Sequence, residues 1–133
     1  MSPSRVSPVR GEIEVVEHAA LSGGVWRSAA RFAVQELEPV FAGHYPGFPI
    51  FPGVCVVECA HRGALATKPA EIAGLRFAAL GSARFVSAVL PGDVLDIALE
   101  WRREAAGLRV AAKVATGRGK AASARLHYTE ESS

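Results

Sequence analysis

Apolar and polar residues alternate along most of this chain, and the alternation predicts strands. Residues 12–17 carry Ile13 and Val15 on one face. Residues 25–34 carry Trp26, Ala30, Phe32 and Val34 on one face and Arg27 and Arg31 on the other. The pattern is clearest over 94–101, where Leu95, Ile97, Leu99 and Trp101 oppose Asp96 and Glu100. It repeats over 108–115 with Val110, Ala112 and Val114, and over 121–128 with Ala124, Leu126 and Tyr128. Short connections at 104–107 and 117–119 make these last three an antiparallel meander. Residues 75–88 read as one or two further strands, ending at the turn Pro91-Gly92-Asp93.

Residues 53–66 break the rhythm. Val54, Cys55, Val56, Val57, Cys59, Ala60, Ala64, Leu65 and Ala66 leave no polar half, so the segment predicts a helix buried nearly all round. Pro52 suits its start and Pro69 lies just past its end. One buried helix against a long antiparallel sheet is an α+β arrangement, and the element order matches a sheet wrapped around a central helix.

Length adds that the 133 residues form one domain able to bury a core, and there is no internal repeat. The ends, 1–11 and 129–133, read as frayed tails. No apolar run is long enough to span a membrane and no signal core opens the chain. A net charge of +2 is too small to argue for nucleic acid. Cys55 and Cys59 are too few for a disulfide framework or a metal site; they read as two buried thiols on the helix, in a reducing cytoplasm.

The chemistry gathers on and before the helix. At about 100° per residue, Val54, Glu58, His61, Arg62 and Leu65 share a face. A carboxylate on an apolar helix is costly unless it is paired, hydrogen-bonded or protonated, so Glu58 calls for an explanation. Upstream, residues 41–53 hold three prolines and three glycines, a stiff loop able to fix His44 relative to the helix start. The amides of Gly53 and Val54 lie at the positive end of the helix dipole. A base, an acid and oxyanion donors suit elimination of water from a 3-hydroxyacyl thioester. Histidine is the usual base near neutral pH, and a carboxylic acid in an apolar site can stay protonated and donate.

The run His44-Tyr45-Pro46-Gly47-Phe48-Pro49-Ile50, then Pro52-Gly53-Val54, then Glu58-Cys59-Ala60, resembles the signature of the 3-hydroxyacyl-acyl carrier protein dehydratases of bacterial fatty acid synthesis. His44 and Glu58 stand fourteen positions apart, that family's spacing, and Phe85 followed by Pro91-Gly92-Asp93-Val94-Leu95 matches a second family feature. The resemblance spans roughly residues 12–128. It implies a hot dog fold, a curved antiparallel sheet around a long helix. It also implies that two subunits pair edge to edge, so that His44 of one meets Glu58 of the other. The Gly53 amide would polarise the thioester carbonyl, and acyl carrier protein would deliver the chain into an apolar tunnel. No cofactor and no metal are implied. The resemblance implies a homodimer or a trimer of dimers, with a hetero-dimer of related subunits left open.

Three positions depart from the family: Tyr45 for phenylalanine, Cys59 for alanine and Arg62 for glutamine. Arg62 lies one turn beyond Glu58, so the two can form an ion pair. That pair would hold the carboxylate ionised, make it a poorer acid and count against the dehydratase account. Tyr45, Phe51, His61, Arg62 and Phe85 are expected to line the substrate path, with His61 also readable as a satisfied core or interface histidine. His18 and His127 carry no motif. Arg102 with Arg103, and Arg84 with Arg76, are candidates to meet an acidic carrier. The leading reading is a dehydratase of fatty acid or polyketide synthesis. A hot dog thioesterase and a non-catalytic subunit paired with an active relative are the alternatives, and isomerisation of the enoyl product ranks below them.

Overall fold

The computed structural model describes residues 11–35 and 51–131. Among these residues, six strands and one helix follow one another as β1 (Glu14–Ser22), β2 (Val25–Ala33), α1 (Gly53–Thr67), β3 (Gly74–Phe85), β4 (Val94–Glu104), β5 (Gly107–Thr116) and β6 (Gly119–Glu131). They form one antiparallel sheet in the order β1-β2-β4-β5-β6-β3. The first hairpin turns at Gly23 and Gly24, both at positive φ (62° and 80°), which a two-residue turn with the right twist requires.

The concave face of the sheet supplies the core. Phe32, Leu95, Ile97, Leu99, Trp101, Val110, Val114, Leu126 and Tyr128 are all buried there, as the period-two pattern predicts. The helix contacts all six strands and turns Cys55, Val56, Cys59, Ala60, Gly63, Ala64 and Thr67 onto them. A Cβ on Gly63 would stand 3.3 Å from the Ala30 Cβ, so helix and sheet approach closely at that point. Both cysteines are buried and form no disulfide, as expected. A buried polar chain locks the far end of the helix: Trp101 Nε1 donates to Ser28 Oγ (3.0 Å), which pairs with Thr67 Oγ1 (2.8 Å), and Thr67 donates to Gly63 O (2.7 Å). Beyond Thr67, Lys68 is extended (ψ 151°), the conformation that a following proline enforces.

The structure corrects four expectations. Residues 129–131 are not a frayed tail, because β6 runs to Glu131 and pairs Thr129, Glu130 and Glu131 with Arg76, Leu75 and Gly74. Gly11, placed in the leading tail, is buried against the ring of Phe32. The first strand is longer than residues 12–17 and buries no clean face; it is an edge strand whose register shifts twice, with Val15 and Val16 exposed. Finally, α1 is not buried all round. The sheet covers one side only, and on the other Val54 is 73% exposed and Leu65 42%. The segment predicted as one or two strands over 75–88 is a single strand with two register irregularities.

Candidate active site

The chain re-enters the described region at Phe51, which is buried, stacks on Phe32 (ring centroids 6.4 Å apart) and donates its amide to Val89 O at 2.8 Å. This bridge pins the start of α1 to the connection between β3 and β4. Pro52 then occupies the N-cap in an extended conformation, and its carbonyl accepts from Cys55 (2.9 Å) and Val56 (3.2 Å). No hydrogen bond within the described residues engages the amides of Gly53 and Val54, as at any uncapped helix start. The ring of Phe85 lies across Gly53 so closely that a Cβ there would stand 2.7 Å from it. A cleft of about 640 Å³ opens beside this point, lined by Phe51, Gly53, Val56, Phe85, Val89 and Ala122 among others. Its walls are mostly apolar, suited to an acyl chain with one polar end at the helix start.

Glu58 follows five residues later, about 7.5 Å along the axis, on the open side of α1. Arg62 Nε donates to its Oε2 at 3.2 Å, with the two side chains 27% (Arg62) and 35% (Glu58) exposed. Arg62 Nη1 also reaches Gly11 O at 3.3 Å, so the guanidinium bridges the helix and the entry to β1. The ion pair foreseen from the one-turn spacing is therefore formed.

His61 stands between them and makes a 2.8 Å hydrogen bond from Nδ1 to the hydroxyl of Tyr128. Its ring stacks on Tyr128 (5.6 Å, 12°) and meets Phe77 edge-on (5.4 Å). Burial holds His61 below the ordinary histidine pKa; the Glu58 carboxylate opposes this and the Arg62 charge adds to it. Burial, reinforced by Glu58, pushes the Tyr128 hydroxyl well above the ordinary tyrosine value, so it stays protonated. His61 is thus a satisfied, half-buried histidine.

The structure brings Phe51, Gly53, Val54 and Phe85 together at one end of the helix, and Glu58, His61 and Arg62 along its open face. His44 and Tyr45 lie outside the described residues. Two contributors escaped the sequence reading. Tyr128 was readable only as an inward strand residue, because its partner is 67 positions away. Arg118 sits in the β5–β6 turn with no pattern around it, yet both terminal nitrogens grip Asp93 at 2.7 Å and one reaches Ala88 O at 3.1 Å. It ties that turn to the loop forming one wall of the cleft.

The family model for ApeI-like dehydratases matches residues 26–125. The chain belongs to this dehydratase family. FabZ, the 3-hydroxyacyl-[acyl-carrier-protein] dehydratase of Haemophilus influenzae, is 38% identical over 104 residues, covering 74% of this dehydratase-family chain and 70% of that protein. The FabZ of Polynucleobacter necessarius is 44% identical over 89 residues, 64% of this chain and 60% of that protein. With that relative the match therefore spans less than two thirds of its length. Among solved structures, the dehydratase heterocomplex ApeI:P of Xenorhabdus doucetiae superposes with a TM-score of 0.67 at 16% identity, over 90% of this chain and 99% of that one. The PaaI protein of E. coli gives 0.67 at 12% identity, over 90% and 80%. These likenesses show the hot dog fold, and the six-stranded sheet packed on α1 among the described residues is that fold. No helix is long and apolar enough to cross a membrane among the described residues.

Proposed function

We propose that the chain dehydrates a 3-hydroxyacyl thioester carried on acyl carrier protein, giving the trans-2-enoyl thioester. The observation that carries this reading is Glu58, a partly exposed carboxyl on the open side of α1, about one and a half turns from the helix-start amides, which nothing among the described residues engages, beside an apolar cleft. His44, from the proline- and glycine-rich stretch of sequence before the helix, takes the proton from the carbon next to the thioester. The bond from the third carbon to its hydroxyl breaks, and the Glu58 carboxyl gives that oxygen its proton, so water leaves. The Gly53 amide donates to the thioester oxygen while negative charge gathers there. The reaction ends with His44 protonated and Glu58 ionised, and proton exchange between them resets the site.

The pairing with Arg62 sets a condition on this scheme. Glu58 donates only after the guanidinium lets go, and Gly11 O gives Arg62 a second partner to hold. The exposure of Val54, Leu65, Phe77, Leu80 and Phe85 supports a homodimer in which a second copy covers these side chains and His44 of one chain works with Glu58 of the other. Two buried cysteines outside any disulfide fit a cytoplasmic setting. The departures at Cys59 and Arg62 favour a specialised pathway, such as polyketide synthesis, over general fatty acid synthesis. Purified chain given 3-hydroxyacyl-acyl carrier protein should form the enoyl product, and His44→Ala should abolish it. Full activity in that variant would remove the base.

The same 3.2 Å ion pair favours one second reading: a subunit whose carboxylate stays locked and which works only beside an active relative. Turnover confined to a mixture with a related hot dog subunit would select this reading.

A further inference from the structure

The cleft beside the helix start owes one wall to residues 86–89, in the connection between β3 and β4. Main-chain contacts anchor that connection at both ends. The amides of Val86 and Ser87 donate to Ala121 O (2.8 and 3.2 Å), and Ser87 Oγ donates to Lys120 O (2.8 Å). At the far end, Gly92 N donates to Val34 O and Val34 N donates to Asp93 O, both at 2.8 Å. Between these anchors a single side chain grips the segment 88–93. Arg118 sets Nη1 2.7 Å from Asp93 Oδ1 and Nη2 2.7 Å from Oδ2, and Nη2 also donates to Ala88 O at 3.1 Å. Asp93 Oδ2 accepts the Leu90 amide as well, at 2.7 Å, so both ends of the segment meet on one forked guanidinium–carboxylate pair.

Arg118 is itself placed by its turn. Thr116 pairs with Gly119 to close the β5–β6 hairpin, Gly119 takes φ 116°, and the Arg118 amide donates to the hydroxyl of buried Thr116 at 3.2 Å. The Arg118 side chain is half-exposed, so its pair with Asp93 adds little stability; what it fixes is geometry. That geometry leads to the helix. Val89, next to Ala88, offers its carbonyl to the Phe51 amide at 2.8 Å, and only Pro52 separates Phe51 from Gly53. A proline leaves few free torsions on that path. At the head of the same connection, the ring of Phe85 lies across Gly53. Movement of the segment 88–93 is therefore passed on to the Gly53 amide. A donor aimed at developing charge works only when it is already in place, and a misplacement of about 1 Å can cost about 10²-fold in rate.

From this chain of contacts we infer that Arg118, which does not line the cleft, is a positioning residue for the dehydration: its grip on Asp93 and Ala88 holds the Gly53 amide where the thioester oxygen takes up negative charge. The inference rests on the dehydratase reading above, and its test separates the two. Wild type and R118A are compared in steady-state kinetics on a 3-hydroxyacyl-acyl carrier protein, and in hydrogen exchange at the Phe51 amide. The expected result is a fall of about tenfold in kcat with KM within about twofold, because the Gly53 donor acts on charge present only in the transition state. Guanidinium ion, added well below denaturing concentration, should restore part of the loss in R118A, and the Phe51 amide should exchange faster than in wild type. A purely structural arginine would lower Tm without this split or this rescue. Unchanged kcat, a rise in KM at constant kcat, or Phe51 exchange equal to wild type overturns the inference. Should wild type turn over no substrate, the dehydratase reading falls, and exchange alone decides whether Arg118 holds the helix start: faster exchange in R118A supports it and equal exchange overturns it. If R118A does not fold, R118K, which keeps the charge but not the fork, is carried through the same comparisons.

Discussion

Arg62 reaches back one helical turn and sets its Nε 3.2 Å from Oε2 of Glu58, on the side of α1 that the sheet leaves open. The order, carboxylate first and guanidinium four residues later, is the favourable one for a helix. With both side chains partly solvated, such a pair contributes only about 0.3–0.5 kcal/mol. Replacing Arg62 by glutamine should therefore shift the urea midpoint little while freeing the carboxyl. Dehydration by R62Q is expected to rise several-fold. A fall of tenfold or more would mean that the guanidinium itself serves the reaction.

The start of the helix offers a second test. Gly53→Ala places a methyl group into the Phe85 ring, which is half-exposed and able to swing aside into the cleft. Stability should change by less than about 1 kcal/mol, because the obstacle is a mobile side chain rather than backbone. KM for the acyl substrate should rise, and G53A/F85A should recover much of the loss. Additive losses in the double variant would place the effect on the amide instead.

His61 predicts a pH dependence of stability. Burial keeps it neutral in the folded chain, with its pKa below the ordinary value. As pH falls below about 6.5, the unfolded chain takes up a proton that the folded chain resists, so stability present above that pH is progressively lost. Urea midpoints measured from pH 7.5 to pH 5 should decline in wild type, and the decline should be shallower in His61→Gln. Parallel curves would show that other groups set the acid limb.

Tyr128→Phe removes the hydroxyl that meets His61 at 2.8 Å and leaves a half-buried ring nitrogen without that partner. A loss of about 1 kcal/mol is expected, or roughly 3–5 °C in Tm for a domain of this size. An unchanged Tm would mean that water replaces the bond without cost.

Much of this architecture was legible along the chain because strand alternation reports a face directly. Leu95, Ile97, Leu99 and Trp101 on β4 are buried as their spacing demands, and α1 begins and ends at its flanking prolines. What the pattern missed depends on distant partners. Thr129–Glu131 are ordered only because the start of β3 offers them hydrogen bonds, and local composition carries no trace of that. The helix looked buried all round because Val54 and Leu65 are apolar, yet the sheet of one chain covers one side. Within the site, the Glu58–Arg62 spacing announced the ion pair, whereas the His61–Tyr128 bond joins elements too far apart in sequence for any spacing to betray.

In the proposed mechanism His44 of one chain and Glu58 of another make one acid–base pair. Complementation tests it most directly: His44→Ala and Glu58→Gln, each inactive alone, are mixed, dissociated and allowed to reassociate, and enoyl product is measured on 3-hydroxyacyl-acyl carrier protein. Random pairing makes half of the dimers mixed, and each carries one intact site, so activity should return to about a quarter of wild type. A mixture that forms mixed dimers and stays inactive would contradict the account.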